Sequence, residues 1–430
     1  MNIEKETIEK VIGILEEEIV PAQGCTEPIA LAYVAAKAVK VLGNNPDGLK
    51  IYVSGNIIKN VKSVVVPNSG GMVGIEVAAA MGAIVGNVEK ELMVISDVTE
   101  AEMIKVRNFL ENCPVEVIHE KTDIKLYAKI IAYNNDENAV VEIKYLHTNI
   151  TKIEKNGKVL LDRACSEANF RTSSTDRKIL SIELIYNLAK TIDLELIRPL
   201  FEKVIKLNTA IANEGLKESY GVNIGSCIMK NIEIGDYGND RRNKCASFAA
   251  AGSDARMSGC PLPVMTTSGS GNQGMTASLP IIKYCMEREY GNEQLIRALF
   301  LSHLATIHIK TNIGRLSAYC GAMCASAGVS GALTLLIGGN FHAISSAIIN
   351  TLGNISGIIC DGAKASCAMK IATGTYAAFD AATLAHYHKV LHGGDGIIGK
   401  NVEETIKNIG KLAQAGMQKT DDVILEIMTK

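Results

Sequence analysis

Four cysteines, Cys320, Cys324, Cys360 and Cys367, lie in or beside a stretch of small residues that carries no Asp, Glu, Lys or Arg between positions 316 and 360. Thiols in such a neutral setting can be packed core side chains, a disulfide pair or soft ligands of a metal site. Structural zinc favours close cysteine pairs, which only Cys320 and Cys324 offer, whereas iron–sulfur clusters accept wide spacings. The residues alone leave core packing, an iron–sulfur site, zinc and a disulfide open.

A second group with chemical potential is the glycine-rich run TTSGSGNQG at 266–274, in a stretch without charged residues from Met257 to Ile282. Glycines let a backbone approach a ligand closely and turn successive N–H groups toward a carboxylate or phosphate. The lysine of a Walker loop is missing, and no βαβ unit precedes the run. It is therefore an anion-binding loop or a flexible connection between helices. A smaller version, NSGG at 68–71, is more typical of a connection.

A third group surrounds Cys25, which comes directly before the helix start Thr26-Glu27-Pro28. The positive end of a helix dipole should lower the pKa of this thiol and make a thiolate available as a base or nucleophile. A cysteine at this position can also be incidental. Asp254 and Arg256 form a further isolated pair, which can bind a carboxylate or simply form a salt bridge.

The elements that must position these groups change type along the chain. Helical spacing predicts one helix at about 4–19 and a second from Thr26 to about position 42. From 49 to 161 the sequence pattern predicts mainly short β-strands, together with two helices at about 72–85 and 100–111. The predicted strands are LKIYVSG, KSVVVP, ELMVIS, PVEVIHE, IKLYAKIIAY, AVVEIKYLH and KVLLD. From about 174 onward almost every segment is typical of a buried helix.

These patterns predict an α+β protein with a large, mostly α-helical catalytic bundle and a smaller α/β sandwich, inserted after two N-terminal helices. A ferredoxin-like strand order is one possibility for the sandwich. The expected division is 1–47 for N-terminal helices that pack on the catalytic domain, 48–165 for the α+β domain, and 170–430 for an all-α domain that holds the cysteines.

Composition restricts the partners and the compartment. A chain of 430 residues with 47% hydrophobic content can build a large core without disulfides, so its 11 cysteines predict a reducing cytoplasm. A net charge of -2 and the absence of Trp argue against nucleic acid. Polar residues and Gly338-Gly339 interrupt the charge-free region, which argues against a membrane span. Bulky neutral helices suggest a homo-oligomer, with a dimer the simplest case.

Six motifs, taken in order, resemble the L-cysteine desulfidase family, which is related to the iron–sulfur L-serine dehydratases through their α-chain-like catalytic region. The motifs are QGCTEPIALA at 23–32, VPNSGGMVG at 66–74, GSDARM at 252–257, SGSGNQG at 268–274, GRLSAYCG at 314–321 and ICDGAKASC at 359–367. They extend from the first helices to the C-terminal bundle. Their joint occurrence is far more specific than any one motif.

The resemblance implies a pyridoxal-independent lyase that splits L-cysteine into pyruvate, ammonia and hydrogen sulfide. It implies a [4Fe–4S] cluster held by Cys320, Cys360 and Cys367, with one open iron that binds the substrate thiolate. Cys25 matches the family's proton acceptor, and Cys324 is expected to be a spectator. The residues expected to hold the substrate carboxylate are Asn68, Ser69, Gly70, Ser268, Ser270, Gly271, Asn272 and Gln273.

Three alternatives stay open at this point. L-Serine dehydration would use the same ligands and differ in the hardness of the leaving group. A non-catalytic iron–sulfur sensor would use Cys324 as a fourth ligand. A pyridoxal-dependent β-lyase would need a Schiff-base lysine, for which the sequence has no recognisable motif.

Overall fold

The computed structural model describes residues 3–164 and 175–429. The α-helices in these residues are Lys5–Glu18 (α1), Thr26–Leu42 (α2), Gly55–Val61 (α3), Ile75–Val85 (α4), Glu100–Asn112 (α5), Ile182–Thr191 (α6), Arg198–Lys217 (α7), Ile224–Glu233 (α8), Arg241–Met257 (α9), Gly271–Arg288 (α10), Asn292–Ile313 (α11), Gly321–Leu336 (α12), Phe341–Ile355 (α13), Ser366–His386 (α14), Val402–Lys411 (α15) and Gln418–Thr429 (α16). The strands are Pro21–Gln23 (β1), Gly48–Val53 (β2), Val115–His119 (β3), Tyr127–Asn134 (β4), Glu137–Lys144 (β5), Ile150–Lys155 (β6), Lys158–Asp162 (β7) and Pro263–Met265 (β8). Short 3₁₀ segments occupy Val88–Met93, Arg177–Ile179 and Leu194–Leu196, and a π turn occupies Leu412–Gly416.

The α+β part is built on a six-stranded sheet with the order β3-β2-β4-β5-β6-β7. Strands β2 and β3 are parallel, because α3, α4 and α5 cross over between them, and the remaining pairs are antiparallel. No helix separates β3 to β7, so the strand order differs from a ferredoxin-like one. The predicted fold class, α+β with a large helical part, is confirmed.

Two predicted strands in this part are wrong. KSVVVP at 62–67 forms only an isolated bridge between Val65 and Val73, and the first half of ELMVIS lies in the 3₁₀ segment Val88–Met93. Val66, Val94 and Ile95 are buried in the core beneath the sheet, so their apolar character satisfies packing without strand pairing. Strand β6 and helix α3 were not predicted.

Two hydrophobic cores divide the molecule. One contains α1 and most of the helices from α6 to α15, and the other contains α2, the inner face of the sheet, and α4 and α5, while α8 packs in a smaller cluster of its own. Both N-terminal helices were expected on the helical domain; α1 packs there, while α2 packs against α4, β4 and β5. Ala-rich α2 is buried on nearly all sides, which suits a helix covered by a sheet and a second helix. The predicted boundary between 165 and 170 lies outside the described residues.

The charge-free cysteine region forms the hairpin α12–α13. Helix α12 is buried on nearly all sides and contacts α10, α11, α13 and α14. Small residues make this possible: a Cβ at Gly328 would lie 2.3 Å from the Ser302 carbonyl oxygen of α11. In the residues that the structure describes, no helix is long and apolar enough to span a membrane.

A two-stranded sheet connects the beginning of the chain to the helical part. Strand β1 pairs antiparallel with β8, with Ala22 opposite Val264. The pairing continues beyond the strands, because Thr266 N–H donates to the Val20 carbonyl and Ser268 N–H donates to the Glu18 carbonyl. This small sheet brings the segment before Cys25 next to the glycine-rich loop.

Candidate functional site

A cavity of about 100 Å³ lies between the two cores. The α+β part contributes the start of α2, the end of α3 and the loop between β5 and β6. The helical part contributes α9, the glycine-rich loop, the end of α11 and the segments that carry three cysteines. The polar and cysteine side chains that line it are Cys25, Thr26, Glu27, Lys59, Asn60, His147, Arg256, Ser268, Ser270, Asn272, Gln273, Lys310, Arg315, Ser317, Tyr319, Cys320, Cys360 and Cys367.

Cys25 lies at the cavity wall directly before α2, as the sequence predicts, and it packs against Cys367 and Met257. Its expected low pKa is wrong for this structure. Burial raises the pKa of the Cys25 thiol to about 12, and the nearby charges of Arg256 and Lys364 oppose this rise only in part. The thiol is 1% exposed, so loss of solvation outweighs the helix dipole.

Hydrogen bonds fix the backbone of the glycine-rich loop directly before the first turn of α10. Thr267 and Ser270 exchange backbone hydrogen bonds, and the Ser270 hydroxyl caps α10 by accepting from the Gln273 N–H. Ser268 and Gly269 both have positive φ, 49° and 78°. The Thr26 hydroxyl donates to the Gly269 carbonyl at 2.8 Å, which ties the loop to the start of α2. The loop and Cys25, far apart in sequence, therefore face one cavity.

Glycine at position 271 is required by a buried cation. A Cβ there would lie 2.3 Å from Nε of Arg256. Arg256 is 3% exposed, its Nε has no hydrogen-bond partner among the described residues, and none of their ion pairs includes its guanidinium. Asp254 does not pair with it; its carboxylate instead accepts the Gly225 N–H at the start of α8. The two residues of the Asp/Arg motif therefore have different roles: Asp254 caps a neighbouring helix, and Arg256 places a positive charge at the cavity.

Three of the four cysteines of the charge-free region line the cavity. An isolated bridge between Tyr319 and Ile359 brings the segments of Cys320 and Cys360 side by side, and the Cys360 N–H donates to the Ala318 carbonyl at 2.6 Å. Cys367 lies in the first turn of α14, and its thiol approaches the Gly362 carbonyl at 3.7 Å. Burial, with the charges of Cys360 and Cys367, raises the pKa of the Cys320 thiol. The three thiols are thus electrostatic neighbours.

Cys324 lies one turn into α12, fully buried and outside the cavity lining. Burial raises the pKa of its thiol to about 11, while the charge of Lys310 opposes the rise. Lys310 itself lines the cavity, is 5% exposed, and has no hydrogen-bond or ion-pair partner among the described residues. Burial lowers the pKa of Lys310, and Cys324, Cys360 and Cys320 counteract this effect.

A buried carboxylate and imidazole complete the lining. Glu27 accepts a hydrogen bond from the Asn60 amide at 3.1 Å, its Oε2 lies 3.1 Å from the Thr26 hydroxyl, and its Oε1 lies 3.8 Å from Nε2 of His147. Burial disfavours the charged carboxylate, but His147, hydrogen bonding and Arg256 together hold the pKa of Glu27 below its ordinary value. Glu27 therefore stays ionised.

Several buried polar atoms at the cavity have no hydrogen-bond partner among the described residues. They are Asn60 Oδ1, His147 Nε2, Arg256 Nε and Gln273 Oε1. Buried polar groups in folded proteins are nearly always paired, so a cluster of unpaired ones around one cavity indicates groups arranged for a ligand. The set includes both donors and acceptors, which suits a small polar molecule.

The NSGG segment is not brought to the cavity lining. The Asn68 amide donates to the carbonyls of Ile95 and Ser96, and the Ser69 hydroxyl donates to Met72. Gly70 lies beside Arg107 of α5. Pro67, just before this segment, contacts Gly24, where a Cβ would lie 2.2 Å from the Pro67 ring. The segment thus supports the backbone before Cys25.

Sequence reasoning missed the polar residues that the α+β part contributes. Lys59, Asn60 and His147 have no motif of their own, and only the fold brings them to the cysteines. Glu27 was noted only as a helix-start residue. Lys310 offered a weak signal, as a cation in an otherwise apolar helix followed by the GRLSAYCG motif.

No three His, Cys, Asp or Glu side chains of the described ranges converge as the ligands of a single metal ion would. Cys320, Cys360 and Cys367 instead line one cavity together. Thiolates are the ligands of iron–sulfur clusters, whose net charge is negative when thiolates hold them. The unpaired cation Lys310, with Lys364 and Lys370 nearby, suits that charge. The donor set therefore fits such a cluster.

A known protein family matches most of this chain. The sequence profile of a family described as serine dehydratase alpha chain matches residues 89–426. The match covers the helical part and most of the sheet, and it includes the glycine-rich loop and the three cysteines.

Close relatives extend over the whole chain. UPF0597 protein FN1147 of Fusobacterium nucleatum is 62% identical over 423 residues, which is 98% of this chain and 99% of the relative. UPF0597 protein DSY1109 of Desulfitobacterium hafniense is 47% identical, over 97% of this chain and 96% of the relative. A UPF0597 protein of Treponema denticola is 43% identical over the full length of both chains. These names state no activity.

Proposed function

Because this chain belongs to the serine dehydratase alpha-chain family, a family of iron–sulfur lyases, we propose that it is an L-cysteine desulfidase. The proposed reaction splits L-cysteine into pyruvate, ammonia and hydrogen sulfide without pyridoxal phosphate. The observation that carries the proposal is the single cavity at which three cysteines, the glycine-rich loop and Cys25 meet. A β-elimination needs a site for the departing sulfur, a site for the carboxylate of the amino acid, and a base. The three cysteines, the glycine-rich loop and Cys25 are proposed to supply these in turn.

The proposed cluster ligands are Cys320, Cys360 and Cys367, in a [4Fe–4S] cluster with one iron left open. When bound, the cluster supplies a Lewis-acidic iron with affinity for the substrate's β-sulfur. Lys310 is proposed to balance the negative charge beside these ligands. Cys324, which lies outside the cavity lining, is proposed to remain a free thiol.

The substrate carboxylate is proposed to bind between Arg256 and the start of α10. Arg256 is a buried guanidinium without a protein partner, and a planar guanidinium matches a carboxylate in geometry. Ser268, Ser270, Asn272 and Gln273 line the same side of the cavity and supply further polar groups. Asn68, Ser69 and Gly70 take an indirect part in this proposal, because they support the segment that carries Cys25.

Cys25 is proposed to accept the α-proton of the substrate. Its position at the wall, beside Arg256 and Cys367, supports the assignment. The thiol must first lose its own proton, and the nearby positive charges of Arg256 and Lys364 favour the thiolate. The aminoacrylate released by elimination then hydrolyses to pyruvate and ammonia in water.

L-Serine dehydration is the second candidate, and the description of the matching family favours it. The two reactions share the carboxylate site and the base and differ in the leaving group. A thiolate is the softer ligand for iron, so a site that binds the leaving group directly should prefer L-cysteine.

The cluster proposal is tested by iron and acid-labile sulfide analysis of protein purified without oxygen. We expect Cys320→Ser, Cys360→Ser and Cys367→Ser each to lose most of the iron. Cys245→Ser is the matched control, because Cys245 is fully buried in α9 and does not line the cavity. Full iron content in all three ligand variants would refute the proposed ligand set.

We also propose a cytoplasmic, reducing environment and a homodimer. Exposed apolar side chains at the end of α14 and just after it support a buried contact between copies; they are Leu384, Tyr387, Val390 and Leu391. Analytical ultracentrifugation tests the dimer, and a monomer at micromolar concentration would exclude it.

A further inference from the structure

A second pocket adjoins helix α3, which also borders the proposed catalytic cavity. It has a volume of about 390 Å³ and is enclosed by α3, the loop 119–123 and the C-terminal helix α16. Its lining includes Asn56, Lys59, Lys121, Asp123, Asp421 and Asp422. Lys59 lines both this pocket and the catalytic cavity.

Two buried polar atoms in this pocket lack a hydrogen-bond partner among the described residues. One is Oδ2 of Asp421, a residue only 8% exposed, and the other is the amide nitrogen of Asn56. The other carboxylate oxygen of Asp421 accepts from Lys59 Nζ at 2.6 Å. Lys125 Nζ approaches Oδ2 only to 3.7 Å, which is too far for a hydrogen bond. The pocket thus offers one free acceptor and one free donor.

The charged side chains that line the second pocket indicate which class of ligand it can bind. Three acids, Asp123, Asp421 and Asp422, face Lys59 and Lys121, with Lys125 at the edge. Opposite charges therefore balance, which disfavours both a phosphate and a simple cation. Within the described residues, no group of three potential ligands is arranged for a metal ion. A small molecule that carries both charges matches this lining.

We propose that this pocket binds a free α-amino acid. Its ammonium group donates to Oδ2 of Asp421, and Asp422 adds negative charge nearby. Its carboxylate accepts from the Asn56 amide and faces Lys121. The polar groups recognise the main-chain atoms of the ligand, so an amino acid with a small side chain is sufficient as a probe.

The pocket is connected to the cysteine segment through Lys59. Its ammonium group donates both to Asp421 and to the Cys360 carbonyl, the latter at 3.2 Å. Lys364 in turn donates to the Lys59 carbonyl at 3.3 Å. An amino acid on Asp421 therefore acts on a residue that contacts the proposed cluster segment. This regulatory role rests on the proposed function, whereas binding to the pocket does not.

The test is equilibrium dialysis of the anaerobically purified holoenzyme against radiolabelled L-alanine, which has no β-leaving group and is not consumed. We expect two moles of L-alanine per mole of chain, one in each site. Asn56→Leu and Asp422→Asn should each reduce this to one. Asn231→Leu is the matched control, because the Asn231 amide donates to the Cys227 carbonyl within α8 and lines neither pocket, and it should retain two.

Two moles bound to both pocket variants, or a single mole bound to the wild type that Asn56→Leu and Asp422→Asn both retain, would overturn the proposal. Arg256→Gln separates this proposal from the catalytic one, since it should remove the equivalent in the catalytic cavity and keep the other. A wild type that binds at the second pocket but releases no hydrogen sulfide would refute the proposed function and leave the second site standing. Loss of all binding in Arg256→Gln would instead refute the second site.

Discussion

Buried cations without acidic partners distinguish the residues of the catalytic cavity. Arg256 and Lys310 are each at least nine-tenths buried, and neither forms an ion pair within the described part of the chain. An isolated buried charge is costly, so such groups are retained where a ligand or cofactor supplies the opposite charge. The carboxylate of the proposed substrate and the proposed thiolate-bound cluster would supply two such charges.

Loss of the proposed base should affect turnover without affecting the cluster. We expect Cys25→Ala to lower kcat for L-cysteine by about 10²–10⁴-fold, the range that general bases contribute. Iron content should stay at the wild-type level, because Cys25 is not among the proposed ligands. Pyruvate release and iron analysis on the same sample measure both quantities. Cys324→Ala is the control and should keep both; if Cys25→Ala retains wild-type kcat, Cys25 is not the base.

Removal of the cavity guanidinium should weaken binding. A hydrogen bond to a charged group contributes about 1.5–3 kcal/mol, so Arg256→Gln should raise KM for L-cysteine roughly ten- to hundredfold. Arg242→Gln is the control, since Arg242 pairs with Asp380 at the surface and should leave KM unchanged. Initial-rate kinetics measure both. An unchanged KM in Arg256→Gln would remove Arg256 from the substrate site.

Single residues also show where sequence reasoning succeeds and fails. Cys25, the glycine-rich loop and three cysteines were found from local motifs, and the fold brings them to one cavity. The pKa of Cys25 was misjudged, because a dipole can be inferred from a helix start but burial depends on the packing of Met257 and Cys367. His147 could not be found, since its loop reaches the cavity only through the sheet.

Among the elements, the pairing of β1 with β8 has the largest consequence for the site. It fixes the approach of Cys25 to the loop before α10, and α10 packs closely behind it. The sequence predicted neither strand, because each has only three residues and no alternation pattern. Long helices and the paired strands β4 and β5 were predicted, since their apolar periodicity extends over many residues.

The close packing of α10 on β8 can be tested at Gly274. A Cβ there would lie 2.1 Å from the Met265 carbonyl oxygen, so Gly274→Ala must displace the helix from the strand. We expect a loss of about 1–3 kcal/mol in the free energy of unfolding. Gly357→Ala is the control, because nothing lies within 4 Å of its Cβ position. Urea unfolding measures both, and equal stability of the two variants would contradict the packing described.

In the whole molecule, the cavity that we propose to be catalytic lies where two separate cores meet, so both parts must dock correctly to form it. The C-terminal helix α16 contributes to this docking, since it crosses back to α3 in the α+β part. The contact centres on the ion pair between Lys59 and Asp421, which is almost completely buried. A sequence gives no sign of such a pair, because its members are separated by most of the chain.

This ion pair should behave as a unit. Removal of one partner leaves a buried charge, so Lys59→Met and Asp421→Leu should each cost about 3–5 kcal/mol of unfolding free energy. The double variant should cost less than the sum, because no isolated charge remains. Thermal and urea unfolding of the four proteins measure the coupling. Additive losses would show that the two side chains do not depend on each other.

The central claim is that this family member cleaves a carbon–sulfur bond in L-cysteine. The most direct test compares hydrogen sulfide release from L-cysteine with pyruvate release from L-serine, on protein purified and assayed without oxygen. We predict a higher kcat/KM for L-cysteine. A higher kcat/KM for L-serine, or no hydrogen sulfide from iron-loaded protein, would contradict the account.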